Sequence, residues 1–359
     1  MKEVRRGAIV GFGNVAANGH LPGWQTREDF EIVAIADPDA QRRALAGECL
    51  PQARLYAGHE ELLAHEALDF IDIASPPALH AAAILAAAEA GVHVLCEKPL
   101  TTSLEEYEDI RLAVQRAGVV LHTVHNWKYS EAFRRARAMV ASGRLGALSA
   151  ISFDTARNGC AAATRDNWRV RAALAGGGIL VDHGWHAFYL MLAFANERPL
   201  RIRATLERRR YREAEVEDTA RCAVDFPSLK AEIRLTWAAQ ERRTRWKLIG
   251  SKGQLLINED QLIVEAEGAP QTQRLESALS ASSHHPDWFA GVIDEFRTAL
   301  NDPAQAHANR LEAELCMLML SQAYASSAQQ SRPLAIPRAR VAAFSTPERC
   351  GATEPQRVS

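Results

Sequence analysis

Cysteine in any useful pattern is lacking. The six cysteines stand at 49, 96, 160, 222, 316 and 350, with no C-x-x-C pair and no disulfide-like spacing. Reduced thiols in a cytoplasmic protein are the simplest expectation. Long apolar runs are missing too: no segment reaches the roughly 18 uninterrupted apolar residues that a membrane span needs. The opening M-K-E-V-R-R-G-A-I-V-G sets twin arginines before an apolar run, but the run is short and breaks at Gly11, so no export signal is expected here. Net charge is nearly absent, at -2 over 359 residues, so nothing draws the whole chain to nucleic acid or to a membrane. The cluster Arg208-Arg209-Arg210 with Arg212 is answered by Glu213, Glu215 and Glu217 and reads as solvated strand and turn. Internal repeats and low-complexity tracts are absent, which excludes a repeat array. What is present is an ordinary soluble composition, 47% hydrophobic and 24% charged, in a chain long enough for two domains.

The first of these is legible near the N-terminus. Ala8-Ile9-Val10 is a short apolar strand, followed by G-F-G-N-V-A over Gly11, Phe12, Gly13, Asn14, Val15 and Ala16. Glycines at these positions allow a tight turn and a close approach of backbone to a pyrophosphate, and Ala16 allows close packing of helix on strand. A second strand, E-I-V-A-I-A-D, ends in Asp37, about 20 residues on, where an acidic side chain can hydrogen-bond ribose hydroxyls. F-I-D-I-A-S and V-H-V-L-C-E-K give two more strands, with an alanine-rich helix between them. Strand alternating with helix through short connections predicts a doubly wound parallel sheet, an α/β fold of the Rossmann kind. Asp37, Ser75, Glu97 and Lys98 all fall at carboxyl ends of these strands, where such sheets hold ligands.

The stretch G-G-G-I-L-V-D-H-G-W-H, residues 176–186, leaves three readings open: metal ligands, a proton-handling pair, or a buried helix with polar decoration. In a helix, Asp182 and His186 are four apart and share a face, while His183 is rotated away by about 100° but within reach of the edge. Acid/base work is favoured over metal. No cysteine lies nearby to complete a tetrahedral set. No metal is expected.

Taken in order, G-F-G-N-V-A, A-D-P, S-P-P-A-L-H, C-E-K-P, G-G-G-I-L-V-D-H-G-W-H, V-E-D-T-A and I-G-S-K-G-Q-L resemble the Gfo/Idh/MocA family of nicotinamide-dependent oxidoreductases over about residues 5–335. The resemblance implies that Lys98, Asp182 and His186 face a sugar, sugar-derivative or cyclitol substrate together. It implies a cofactor site of Gly11, Phe12, Gly13, Asn14, Val15, Asp37, Ser75, Pro76, His80, Glu97 and Lys98. NAD is expected because Asp37 repels a 2′-phosphate; NADP stays possible because Arg42 and Arg43 are close. The family usually has an aspartate three residues after the histidine; this chain has Tyr189.

The resemblance also implies a C-terminal α/β domain with a large, mainly antiparallel, open-faced sheet. Strand-like segments at 147–155, 201–208, 218–226, 229–238, 244–250 and 254–265, and helices near 287–300 and 308–327, agree with it. The expected division is 1–124 for the dinucleotide domain, 125–340 for a substrate-binding and oligomerisation domain, and 341–359 for a polar tail. Asn126, Trp127, Tyr129, Trp168, Arg169 and His183 are expected to add substrate contacts. His186 is expected to act as the base, Lys98 to hold the reacting oxygen and Asp182 to orient substrate or His186. A homodimer or homotetramer, covering an apolar open sheet face, completes the expectation. Two other classes stand beside the dehydrogenase: a sugar or NAD sensor, and a glycoside hydrolase that uses NAD transiently.

Overall fold

The computed structural model describes residues 4–159, 167–266, 268–281 and 284–340. Short apolar segments separated by helices give six strands in the first third of the chain: β1 (Arg5–Val10), β2 (Phe30–Ala36), β3 (Arg54–Tyr56), β4 (Phe70–Ile73), β5 (His93–Cys96) and β6 (Leu121–Thr123). They form one sheet in the order β3-β2-β1-β4-β5-β6, and every pairing is parallel. The expected doubly wound sheet is therefore present. β3, a three-residue edge strand, carried no clear pattern. The strand order reverses at β1 and β4, which opens a crevice at their carboxyl ends.

A parallel sheet must be covered on both faces, and the side chains divide accordingly. Ala8, Val10, Ala34, Ile71, Ile73 and Val94 face the core that holds the helices His80–Glu89 and Leu104–Ala117. Ile9, Ile35, Phe70 and Leu95 face the other way. They meet Trp24 and, from far along the chain, Phe289, Val292, Ile293 and Phe296. These last four lie on the helix Pro286–Ala299, which returns from the C-terminal part to close the first sheet. The helix Pro303–Ala328 follows it, and its Asn309 side chain accepts a hydrogen bond from the Thr123 amide at 2.7 Å, at the end of β6.

The remaining strands are β7 (Leu148–Asn158), β8 (Arg201–Glu207), β9 (Thr219–Asp225), β10 (Lys230–Thr236), β11 (Ala238–Gly250), β12 (Gly253–Asn258), β13 (Gln261–Glu265), β14 (Gln271–Arg274) and β15 (Leu334–Ala335). They form a second sheet in the order β14-β13-β12-β11-β7-β10-β9-β8-β15. Only β7 and β10 pair in parallel. The segment expected as one strand at 254–265 is a hairpin, because Glu259 takes a left-handed backbone, φ 57°, and turns the chain.

The open face differs from expectation. Ile233, Leu235 and Trp237 are buried on the helix-covered side. The opposite side carries Lys230, Glu232, Arg234, Arg203 and Arg221, all exposed. Period-two alternation separates the two sets, so the uncovered face is charged rather than apolar. Among the described residues no helix is long and apolar enough to cross a membrane. Cys49, Cys96, Cys222 and Cys316 are free thiols. Cys160, Cys350 and the expected tail at 341–359 lie outside the described residues.

Candidate active site

The glycine loop sits at the switch point. Gly11 has φ 90°, and a Cβ there would lie 2.6 Å from the Ser75 amide nitrogen, so only glycine lets β1 and β4 end so close together. A Cβ on Gly13 would meet nothing within 4 Å; that side of the loop is open. Asp37 is almost fully buried at 2% exposure. Its carboxylate accepts the Phe12 amide at 2.7 Å and the Asp39 amide at 2.9 Å, and Arg42 stands 3.8 Å away. Asp37 thus ties the glycine loop to the end of β2. The Phe12 ring lies in the core, so the loop offers its backbone there. Asn14 is exposed and donates to His284 Nε2 at 2.9 Å.

After the loop the chain makes a π-helical turn, Ala16–His20, before an α turn at Leu21–Gln25. This aims His20 inward. Its Nδ1 donates to Asp72 at 2.9 Å and its Nε2 to Glu97 at 3.1 Å. Trp24 Nε1 donates to the same Asp72 carboxylate at 2.7 Å. Burial alone would lower the His20 pKa, but Asp72 and Glu97 together raise it to about 10. Glu97, so anchored, accepts the Lys98 amide at 2.9 Å.

Lys98 reaches across to the second half of the chain. Its Nζ donates to the Asp182 carbonyl at 2.6 Å and to the Asp182 carboxylate at 3.2 Å. Burial would raise the Asp182 pKa; Lys98 first, then His183, Arg169 and His186, hold it far below the usual carboxylate range. Asp182 lies in a second π-helical turn, Leu180–Gly184, which leads into the α-helix Trp185–Ala195. That wider turn brings His183 to the same cleft as Asp182 and His186. The His183 and His186 rings are 6.4 Å apart. Burial pushes His183 down to about 3 and His186 well below its ordinary value, with Lys98 adding to both.

The turn is held from behind by Glu217, which is buried here rather than solvated beside the 208–212 arginines as expected. Its carboxylate accepts the Gly178 and Leu180 amides, each at 3.0 Å, and the Tyr324 hydroxyl at 2.9 Å. A Cβ on Gly178 would lie 1.9 Å from the Glu217 carbonyl oxygen, which explains a glycine there. His186 is supported by Tyr189, whose hydroxyl lies 2.8 Å from His186 Nδ1 and accepts the Trp127 amide at 3.0 Å. The Trp127 ring stacks on His186, centroids 5.3 Å apart.

The resulting cleft has a volume of about 300 Å³, within the range for small-molecule sites. Asn14, Val15, Ser75, Glu97, Lys98, Asn126, Trp127, Trp168, Arg169, Asp182, His183 and His186 all line it. Several residues expected at the site stand elsewhere. His80 is fully buried beneath it, its ring nitrogens 2.9 and 2.8 Å from the Pro99 and Ser75 carbonyl oxygens. Tyr129 bonds Glu295 behind the cleft. Pro76 does not line it, whereas Pro77 does. Arg157, Trp237, Arg242, His284 and His285 also line it. No local pattern marked these five, because they come from β7, the end of β10, β11 and the approach to the returning helix.

A family model described as an oxidoreductase family with an NAD-binding Rossmann fold matches residues 5–125, and a model of the Gfo/Idh/MocA C-terminal domain matches residues 133–256. The chain belongs to the Gfo/Idh/MocA oxidoreductase family. Among Gfo/Idh/MocA relatives it is similar to D-apiose dehydrogenase of Paraburkholderia graminis, 34% identical over 39% of this chain and 37% of that one. It is also similar to D-xylose 1-dehydrogenase (NADP(+)) 2 of Haloferax volcanii, 33% identical over 60% of this chain and 62% of that one. In both cases the match spans less than two thirds of the relative. The solved aldose-aldose oxidoreductase of Caulobacter crescentus shares the fold, with TM-score 0.79 at 21% identity over 93% of this chain and 100% of that one.

The residues present fit a dinucleotide. The Gly13 side of the loop is open, and Ser75 Oγ and Asn126 Oδ1 are buried polar atoms on the cleft without a hydrogen-bond partner, as expected where a ligand supplies one. Among the described residues no group of three or more His, Cys, Asp or Glu side chains is set to hold a metal. Lys98 occupies the position beside Asp182 instead.

Proposed function

We propose that this chain interconverts a secondary alcohol of a sugar, sugar derivative or cyclitol with the corresponding ketone, using NAD in preference to NADP. The observation that carries the reading is the convergence of Lys98, Asp182 and His186 on one cleft at the switch point of a dinucleotide-binding sheet. When bound, the nicotinamide exchanges a hydride with the alcohol carbon. The chain's own residues manage the oxygen. Lys98 gives two of its three N–H groups to Asp182, leaving one for the reacting oxygen, where it stabilises developing negative charge. Ionised Asp182 fixes that ammonium and has lone pairs left for a neighbouring hydroxyl. His186 presents its Nε2 edge from the other side, since Nδ1 faces Tyr189. Trp127 and Trp168 line the cleft with apolar faces suited to sugar C–H groups.

Assembly as a homodimer or homotetramer through the open face of the second sheet is part of this reading. The test of function is a screen of sugars and cyclitols with NAD and with NADP, followed by absorbance of the reduced cofactor. Its accumulation with a polyol supports the dehydrogenase. Cleavage of a glycosidic bond without net reduction makes the chain a hydrolase, and binding without either makes it a sensor.

A further inference from the structure

Tyr189 sits where its single hydroxyl hydrogen decides what His186 is able to do. The hydroxyl oxygen is buried, and it accepts the Trp127 amide at 3.0 Å. Its other neighbour is His186 Nδ1 at 2.8 Å. The tyrosine ring is stacked on His125, centroids 4.4 Å apart. His125 offers no acceptor, because its Nε2 receives the Trp185 indole N–H at 3.2 Å and its Nδ1 bonds Glu312. The Tyr189 hydrogen therefore has one place to go, the lone pair of His186 Nδ1. A buried hydroxyl left without an acceptor is disfavoured, so the alternative, with Nδ1–H pointing at Tyr189, is the poorer arrangement.

We infer that Tyr189 is a positioning residue that fixes neutral His186 as the Nε2–H tautomer, making it a hydrogen-bond donor to the reacting oxygen rather than the base. The inference rests on the alcohol–ketone reading of the site and revises the expectation that His186 takes the proton. An imidazole with hydrogen on Nε2 has no lone pair there to accept one. Accepting a proton at Nδ1 would strand the Tyr189 hydrogen in a dry site. The proton falls to Lys98. In the reduction direction the C=O π bond breaks and a hydride, which the reduced nicotinamide would supply with its electron pair, forms the new C–H bond. The oxygen takes a proton from the Lys98 ammonium, and the resulting amine regains one from water. His186 keeps its proton and donates a hydrogen bond throughout. Oxidation is the reverse, with the Lys98 amine taking the hydroxyl proton. A neutral imidazole used as an electrophile in this way is established enzyme chemistry.

The charged and titratable groups that face His186 agree with a neutral ring. Lys98 and His183 on the cleft side, and His125 behind Tyr189, disfavour a second proton, as does burial; only Asp182 favours it.

The test reads the tautomer directly, in the full chain labelled with nitrogen-15 on its histidines. Long-range proton–nitrogen correlation separates pyridine-type from pyrrole-type ring nitrogens, and the His186→Gln spectrum identifies which of the 12 histidines is His186. The expected result is pyridine-type Nδ1 and pyrrole-type Nε2, unchanged across the neutral range. Tyr189→Phe keeps the ring on His125 and removes the hydroxyl; the His186 nitrogens should then shift toward a mixture. Tyr189→Asp, which can only accept, should move the hydrogen to Nδ1 and introduce a neutral-range ionisation into the kcat profile for alcohol oxidation. A pyrrole-type Nδ1 in the unmodified protein overturns the inference, as does an unchanged His186 pattern in Tyr189→Phe. The expected tautomer without turnover of any polyol would sustain the assignment and sink the dehydrogenase reading alone.

Discussion

Two residues show how a side chain's partners change what its type implies. Asp37 stands where an acidic group meets adenosine ribose, yet both its oxygens already accept backbone amides, from Phe12 and Asp39. Its charge still faces that end of the loop, with Arg42 3.8 Å away. NAD should therefore give the higher kcat/KM. Asp37→Ser should narrow the gap by letting Arg42 meet a 2′-phosphate, while lowering stability through the lost amide partner by about 1–3 kcal/mol. An unmodified protein about tenfold more efficient with NADP, a difference of roughly 1.4 kcal/mol, would contradict the preference. His20 has no such local context, being an unremarked histidine after N-G. Held between Asp72 and Glu97, its pKa rises from 6.5 to about 10 in the folded chain. A raised folded-state pKa gives stability that is complete below pH 6.5 and fades as the pH climbs to about 10. Melting temperatures measured across that window should fall for the unmodified protein. His20→Asn should show a flatter profile and a lower melting temperature at its acid end.

At the scale of elements, two π-helical turns do work that α-helices would not. The turn Ala16–His20 points His20 down to Asp72, and Leu180–Gly184 brings His183 to the cleft beside Asp182 and His186. The glycines ahead of the second turn are there for space as much as flexibility. Gly178→Ala would drive a Cβ to 1.9 Å from the Glu217 carbonyl, against backbone that cannot swing away. Overpacking of that kind costs about 1–3 kcal/mol, and displacing the turn moves Asp182 away from Lys98. Calorimetry should show the loss of stability, and turnover should drop more than cofactor affinity, because the glycine loop at residues 11–13 is untouched. Unchanged turnover in a destabilised Gly178→Ala protein would mean that the Lys98–Asp182 geometry is not critical.

The whole molecule is two sheets joined by helices that do not respect chain order. The helix Pro286–Ala299 buries Phe289, Val292, Ile293 and Phe296 against the first sheet, so truncation before it would expose the face of Ile9, Ile35 and Phe70. The second sheet leaves one face uncovered, and that face bears Arg203, Arg221, Lys230, Glu232 and Arg234. Arg234 pairs with Glu232 at 2.9 Å and with Asp154 at 3.7 Å. A second copy meeting this face would do so by matching charges of both signs, which predicts assembly that weakens with salt. Light scattering at micromolar concentration should give a multiple of the 39.5 kDa chain mass, falling toward it as salt is raised. A monomer mass at low salt would remove the proposed assembly.

Much of this architecture is written locally. Gly11, Gly13 and Asp37 announce a dinucleotide loop because a tight turn and an acidic strand end are set by neighbours in sequence. The alternation of Ile233, Leu235 and Trp237 with Glu232 and Arg234 marks a half-covered strand, though not which half faces helices. Lys98, Asp182 and His186 were legible as a group through motif resemblance, since nothing within either segment links a lysine to an aspartate 84 positions away. Tertiary structure alone decided the rest. Glu217 supports Gly178 from 39 positions on, Tyr324 supports Glu217 from 107 further, and Trp127 holds Tyr189 across 62. Motif or composition can mark such a residue, but nothing in its own stretch names its partner. Burial with one specific partner gives it a role, because a buried donor or acceptor must be satisfied and the partner comes from wherever the fold brings the chain back.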